Sequence, residues 1–229
     1  FKNVAPAYTN NVSVSGGTER LKFFASVGAY NQEGVIDHTS YDKYNFRSNM
    51  DAKVTDNFDL SLDLSGYVSE DNEPGAGAGK GSYASIFQQA MLSYPYLKAY
   101  SPSGLPVGSL NLDGNGNNNP VAARDLSGKN TIKKTYFQGN ISMKYKLPFV
   151  KGLSLKLNAS YVKSYTMQKK YFLPYDLDCW NQSTRSWGVQ KGRIASKASL
   201  NQWFTESQGY TIQPTVEYFN KFGKHAVSG

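Results

Sequence analysis

From Tyr44 to Val68 the chain alternates apolar and polar residues on period two, broken only by a tight turn at Thr55-Asp56-Asn57. Tyr44, Phe46, Ser48, Met50, Ala52 and Val54 share one face of the first segment, while Asn45, Arg47, Asn49, Asp51 and Lys53 share the other. In the second segment Phe58, Leu60, Leu62, Leu64, Gly66 and Val68 oppose Asp59, Ser61, Asp63, Ser65 and Tyr67. An amphipathic helix would space its apolar residues three and four apart, so the pattern specifies two strands with one oily and one charged face. Pairing Val54 with Phe58 around the turn puts Lys53 opposite Asp59 and Arg47 diagonal to Asp63, so charges complement across the strands. Soluble β-sandwiches and transmembrane β-barrels both use such faces.

The same design recurs along the chain. Alternation predicts strands near 8–15, 20–31, 42–54, 58–69, 132–147, 152–166 and 209–220, with the start of an eighth after Phe222-Gly223-Lys224-His225. Turns after the first, third, fifth and seventh strands are short. The connections after the second, fourth and sixth run to about ten, sixty and forty residues, and a barrel of the outer-membrane kind likewise keeps short turns at one end and long loops at the other. Ten residue steps from Tyr44 to Val54, tilted about 40°, rise roughly 25 Å, the height of such a barrel's apolar band. Tyr44 and Phe137 fall at the loop ends of their apolar faces, Phe58 and Tyr145 at the turn ends, and Tyr210 and Tyr218 bracket one strand, where aromatic girdles belong. The two long loops, 70–131 and 167–208, are predicted to be extracellular, and the first contains one short amphipathic helix over Ser82 to Tyr94, closed by Pro95.

Composition excludes several classes. No apolar run is long enough for a transmembrane helix, and the mean hydropathy is −0.53, which leaves a barrel open because barrel strands are only half apolar. The net charge of +8 is spread over strands and loops without clustered stacking aromatics, so no nucleic-acid partner is expected. The lone Cys179 forms no internal disulfide and fits no zinc spacing; beside Trp180 it reads as a packed loop thiol. The residues from Phe1 onward show no charged n-region or apolar h-region of a signal peptide, and both ends read as cut from a longer protein.

Three blocks resemble the SusC/RagA-type TonB-dependent outer-membrane transporters: Asn11-Val-Ser-Val-Ser-Gly-Gly-Thr-Glu, Phe24-Ala-Ser-Val-Gly-Ala-Tyr-Asn-Gln-Glu-Gly-Val-Ile and Tyr44-Asn-Phe-Arg-Ser-Asn-Met-Asp-Ala. Leu60-Ser-Leu-Asp-Leu-Ser-Gly, Asn119-Pro-Val-Ala, Tyr210-Thr-Ile-Gln-Pro and Phe222-Gly-Lys-His are similar to later barrel segments of that family. The resemblance implies an all-β fold, here seven to eight antiparallel strands of a barrel of about 22 strands. It implies import of large nutrients, oligosaccharide or peptide, through the outer membrane of a Gram-negative bacterium. It further implies that TonB supplies the energy, that a SusD-like surface lipoprotein caps the barrel, and that plug and TonB box belong to parts of the parent protein outside this chain. Two alternatives stay open: a passive porin-type barrel, and a soluble carbohydrate-binding β-sandwich.

On this reading Arg47, Asn49, Asp51, Asp63, Asn140 and Lys144 face the lumen as substrate-path candidates, and Tyr83, Phe87, Trp180, Trp187 and Trp203 are loop contacts for substrate or partner, with all three Trp in the second long loop. No cofactor, metal or catalytic site is expected. Pro74 and Gly81 spoil Gly75-Ala-Gly-Ala-Gly-Lys80 as a phosphate loop, and Asn118 and Arg124 spoil Asp113, Asn115 and Asn117 as a calcium loop. His38 and His225 stand near opposite ends of the barrel, and Asp51, Asp59 and Asp63 have basic neighbours that hold them ionised, which suits a wet wall more than a glycosidase.

Overall fold

The computed structural model describes residues 2–75, 82–93, 95–108, 119–191, 197–223 and 225–229, with the backbone alone for 82–85 and 92. Eight strands form one antiparallel sheet in which sequence neighbours are nearly always spatial neighbours: β1 Ala7–Gly17, β2 Leu21–Glu33, β3 Ser40–Thr55, β4 Phe58–Pro74, β5 Gly128–Lys146, β6 Leu153–Phe172, then β9 Ser199–Phe222 and β10 His225–Ser228. A separate hairpin, β7 Leu177–Asn181 with β8 Ser186–Gln190, lies between β6 and β9 in sequence. Short turns join β1 to β2, β3 to β4, β5 to β6 and β9 to β10; the longer connections all leave the opposite end.

The strands run further toward that end than alternation indicated, so the predicted loops 70–131 and 167–208 contract to 75–127 and 173–198. The loops also hold more structure than one helix. Besides α1 Ser82–Leu92 there is α2 Pro120–Leu126, and the β7–β8 hairpin occupies part of the predicted second loop. The central hairpin keeps Lys53 opposite Asp59, but a register shift between Lys53 and Thr55 makes Thr55, and not Val54, the partner of Phe58.

Levels of the sheet take the name of their β4 residue. At the Gly66 level the backbone pairs run Val12, Val27, Phe46, Gly66, Phe137, Lys163 and Gln208; at the Leu62 level they run Gly16, Phe23, Met50, Leu62, Ile141, Ala159 and Ile212. Even levels make the apolar face and odd levels the polar one. Gly66 is required where it stands, because a Cβ there would press on the Phe46 ring and the Tyr136 carbonyl. Phe46 and Phe137 close over that position at 6.5 Å.

Nothing among the described residues covers the apolar face. Val12 is 69% exposed, Ile212 66%, Val216 63% and Tyr210 82%. Most of the buried apolar residues sit in two small clusters at the loop end: Ile36, Ile86 and Ala123, and Ala122, Tyr175, Leu177 and Cys179. A contiguous exposed apolar surface of this extent marks contact with another apolar phase or partner, since soluble monomers seldom leave more than a few hundred Å² of such surface uncovered.

The lower limit of that face drifts steadily. Gly17, the last residue of β1, lies at the Ser61 level, whereas Phe222, the last of β9, lies six levels below Phe58. That is nine levels over six strand spacings. At about 3.3 Å per residue and about 4.8 Å between strands, strand ends that share one plane require a tilt of about 45°, at the upper end of the range for barrels. The upper limit moves the same way. On β3 and β4 the face turns polar at Asp42 and Glu70; on β6 and β9 it does so at Lys163 and Gln208, four levels lower.

Candidate functional site

The polar face is a continuous wall of hydroxyl, amide and charged side chains. Arg47 Nε donates to Asn49 Oδ1 at 3.0 Å, along the same strand. Arg47 keeps the expected diagonal position to Asp63, opposite Ser65, but with its Nε turned to Asn49 it forms no ion pair with Asp63. Asp51 accepts from Ser61 Oγ at 2.6 Å. Asp59 takes its ion pair from Lys146 on β5 at 3.3 Å, and not from its register partner Lys53. Lys144 reaches across β6 to Glu217 at 2.6 Å, and Asn140 accepts from Gln138 Nε2 at 3.5 Å. The six lumen candidates therefore share one face but not one cluster.

Period-two reading placed Tyr67 on this face without assigning it a role. Tyr67 and Tyr136 are direct register partners and their rings stack at 5.4 Å, 19° from parallel. Lys43 Nζ lies 4.6 Å from the centroid of Tyr67, and the Tyr136 hydroxyl donates to Gln138 Oε1 at 2.8 Å. Beside them Gly28 leaves room for Asn11 and Asn45, since a Cβ there would collide with both amides. Above, Gln168 Nε2 donates to Asn130 Oδ1 at 3.1 Å and Asn130 Nδ2 to Glu73 Oε1 at 2.5 Å, tying β4, β5 and β6 together.

At the loop end α2 acts as a keystone. Asn119 is its N-cap: Oδ1 accepts from the amides of Val121 and Ala122, both at 3.0 Å, while Nδ2 donates to the carbonyls of Ala99 and Val107, both at 2.9 Å. Pro120 follows at the first helical position, where its missing N–H costs nothing. The small side chains of Ala122 and Ala123 let the helix sit between the two apolar clusters. Arg124 grips Asp125 through two hydrogen bonds of 2.6 and 2.8 Å and pairs with Asp37 at 2.8 Å, and His38 stands 3.4 Å from Asp125. The Arg124 hydrogen bonds hold the Asp125 carboxyl below its ordinary value, against the opposing effect of burial. Burial pushes the Tyr175 phenol upward.

Trp180 and Trp187 are register partners in the β7–β8 hairpin, with rings edge to face at 5.4 Å and 66°. Trp203 is not a loop residue: it lies on β9 at the level of Gln168 and Ile132, half exposed on the polar face. Phe87 is an exposed residue of α1, whose inward side chain is Ile86. The side chain of Tyr83, residues 76–81 of the glycine-rich loop, and Asp113, Asn115, Asn117 and Asn118 lie outside the described residues.

No family model matches the chain. It is 21% identical over 222 residues to TonB-dependent receptor P26 of Formosa agariphila, a match that takes in 96% of this chain and 20% of the relative. The chain thus spans about a fifth of the length of that curated relative. Among solved structures, the RagAB peptide importer in its closed-closed state and the RagAB peptide transporter each match with a TM-score of 0.70, at 16% identity, over 98% of this chain and 23% of theirs. At that identity the structural likeness speaks for the fold.

Proposed function

We infer that this chain, a SusC/RagA-type fragment, forms eight neighbouring strands in the wall of a TonB-dependent outer-membrane barrel, with its apolar face in lipid and its polar face toward the lumen. The observation that carries the reading is the parallel drift of both limits of the exposed apolar face. An uncovered band that crosses the hydrogen-bond rows obliquely is what tilted strands need to meet a flat lipid layer. A sandwich core has no reason to follow such a plane.

The complete barrel would have about 22 strands. On this reading it imports an oligosaccharide or peptide with energy from TonB, and the polar wall serves passage and not catalysis. The loop end, with α2, the Asp37–Arg124–Asp125–His38 group and the Trp180–Trp187 hairpin, is the surface that meets substrate or a SusD-like lipoprotein. A TonB-dependent receptor and the RagAB importer as relatives favour this over a passive porin.

The test is uptake of labelled oligosaccharides and peptides by cells carrying the full-length protein, with and without TonB. Uptake that needs TonB supports the reading. Uptake indifferent to TonB indicates a porin, and recovery of the full-length protein in the soluble fraction removes the membrane assignment.

A further inference from the structure

Across β1 to β6 and β9, the polar positions of the Ser65, Tyr67 and Ser69 levels form a belt three levels deep. Its charged residues are Arg47, Lys43 and Lys134, and it contains no Asp or Glu; Asp63 and Asp71 lie just outside it on either side. Lys43 and Lys134 flank Ser69 on one hydrogen-bond row, and the Tyr67–Tyr136 stack lies on the level beneath. None of the three cations has a carboxylate within ion-pair distance among the described residues, whereas Lys133, Lys144, Lys146 and Lys163 all do. Lys43 turns to the Tyr67 ring and Arg47 to a neutral amide. Three cations without an ion-pair partner on a shared surface raise the local concentration of anions.

We propose that the Lys43, Arg47 and Lys134 group around the Tyr67–Tyr136 stack is a recognition station for the carboxylate or sulfate groups of an anionic oligosaccharide. The proposal rests on the transport reading and narrows its substrate. The rest of the belt favours a saccharide over an acidic peptide. It is built almost wholly of Ser, Thr, Asn, Gln and Tyr, which exchange hydrogen bonds with sugar hydroxyls, and Val162 is its one aliphatic side chain, so apolar peptide side chains find no pocket. Lys43 and Tyr136 already occupy the Tyr67 ring, so the cations supply the specific contact.

The experiment is calorimetric titration of the purified full-length transporter with hexagalacturonate, a sulfated hexasaccharide, maltohexaose and hexaglutamate, each at low and moderate salt. One or both anionic saccharides are expected to bind at least about tenfold more tightly than maltohexaose, with affinity falling as salt rises. Which of the two binds distinguishes carboxylate from sulfate. The variant K43Q/R47Q/K134Q is expected to lose about tenfold or more of that affinity, while K43R/K134R keeps it and Lys133→Gln, on the other face, leaves it unchanged. Heat-modifiable migration confirms that each variant is folded. Equal binding of maltohexaose, an unaffected triple variant, or preference for hexaglutamate overturns the proposal. Uptake in cells lacking TonB separates the two claims: TonB-independent uptake removes the transport reading, whereas TonB-dependent uptake of neutral oligomers by the triple variant removes only the anionic assignment.

Discussion

Lys163 and Glu206 pair at 2.8 Å on the apolar side of the sheet, and Lys163 lies directly opposite Phe137. One hydrogen-bond row thus carries Phe46 and Phe137 in its middle and Lys163 and Gln208 at its β6–β9 end. In a row parallel to the lipid surface that would bury a charge. In a row that rises across the band, β6 has already left the lipid where β3 and β5 are still inside it.

This separates two positions that sequence parity makes equivalent. Leu62→Arg puts a charge near mid-band on β4, at a cost of about 2 to 4 kcal/mol in lipid. Lys163→Ala should be tolerated. In full-length protein expressed in the outer membrane, Leu62→Arg is expected to reduce the heat-modifiable folded band sharply, with Lys163→Ala at wild-type level. Asp63→Asn, on the polar face, should also assemble normally.

Asn119 caps α2 and holds two carbonyls from the preceding segment. Asn119→Ala removes the cap, at about 1 kcal/mol, and strips the Ala99 and Val107 carbonyls of their donor, at about 1 to 3 kcal/mol more. Limited proteolysis is expected to cut the 95–127 region several-fold faster, with the strands intact. Asn119→Asp keeps the cap acceptor but sets a buried carboxylate oxygen against the Ala99 and Val107 carbonyls, so its cleavage should be at least as fast as that of Asn119→Ala. Equal rates for all three proteins would contradict the keystone role of α2.

The depressed Asp125 carboxyl sets an acid limit for the loop cluster. Because its folded value lies below the 3.8 of an unperturbed carboxyl, its stabilisation is fully present above that value and is lost as pH falls through the lower folded value. The contribution of Asp125 to the loop end should therefore be unchanged from pH 7 to about 5 and be lost only below about pH 4. Tryptophan fluorescence against pH reads this through Trp180 and Trp187. Asp125→Asn should start less stable at pH 7 and lose this transition.

The strands were legible wherever one side of the sheet was apolar, because period two then separates the faces. Above the band both faces are polar, as at Asp42, Glu70, Asn72 and Lys133, and the backbone ladder continues without a hydrophobic signal to announce it. Alternation therefore ends β4, β5, β6 and β9 too early and leaves Trp203 in a loop. The helix α2 spans 7 residues, too few for helical periodicity, although Asn119-Pro120 is a cap followed by a first-turn proline and carried the signal. The pairing of Asp59 with Lys146 and of Lys144 with Glu217 depends on strands far apart in sequence, which no single hairpin discloses.

The most direct measurement is a cysteine scan of the full-length protein in bilayers, with Cys179 replaced by Ser. Bimane at positions 60, 62 and 64 of β4 would be compared with 61, 63 and 65, and with 44 on β3 and 208 on β9. Brominated lipid should quench 60, 62, 64 and 44, whereas 61, 63, 65 and 208 should respond only to an aqueous quencher. Equal quenching on both faces of β4 would contradict the lipid-facing assignment, and lipid quenching at 208 would contradict the slanted band.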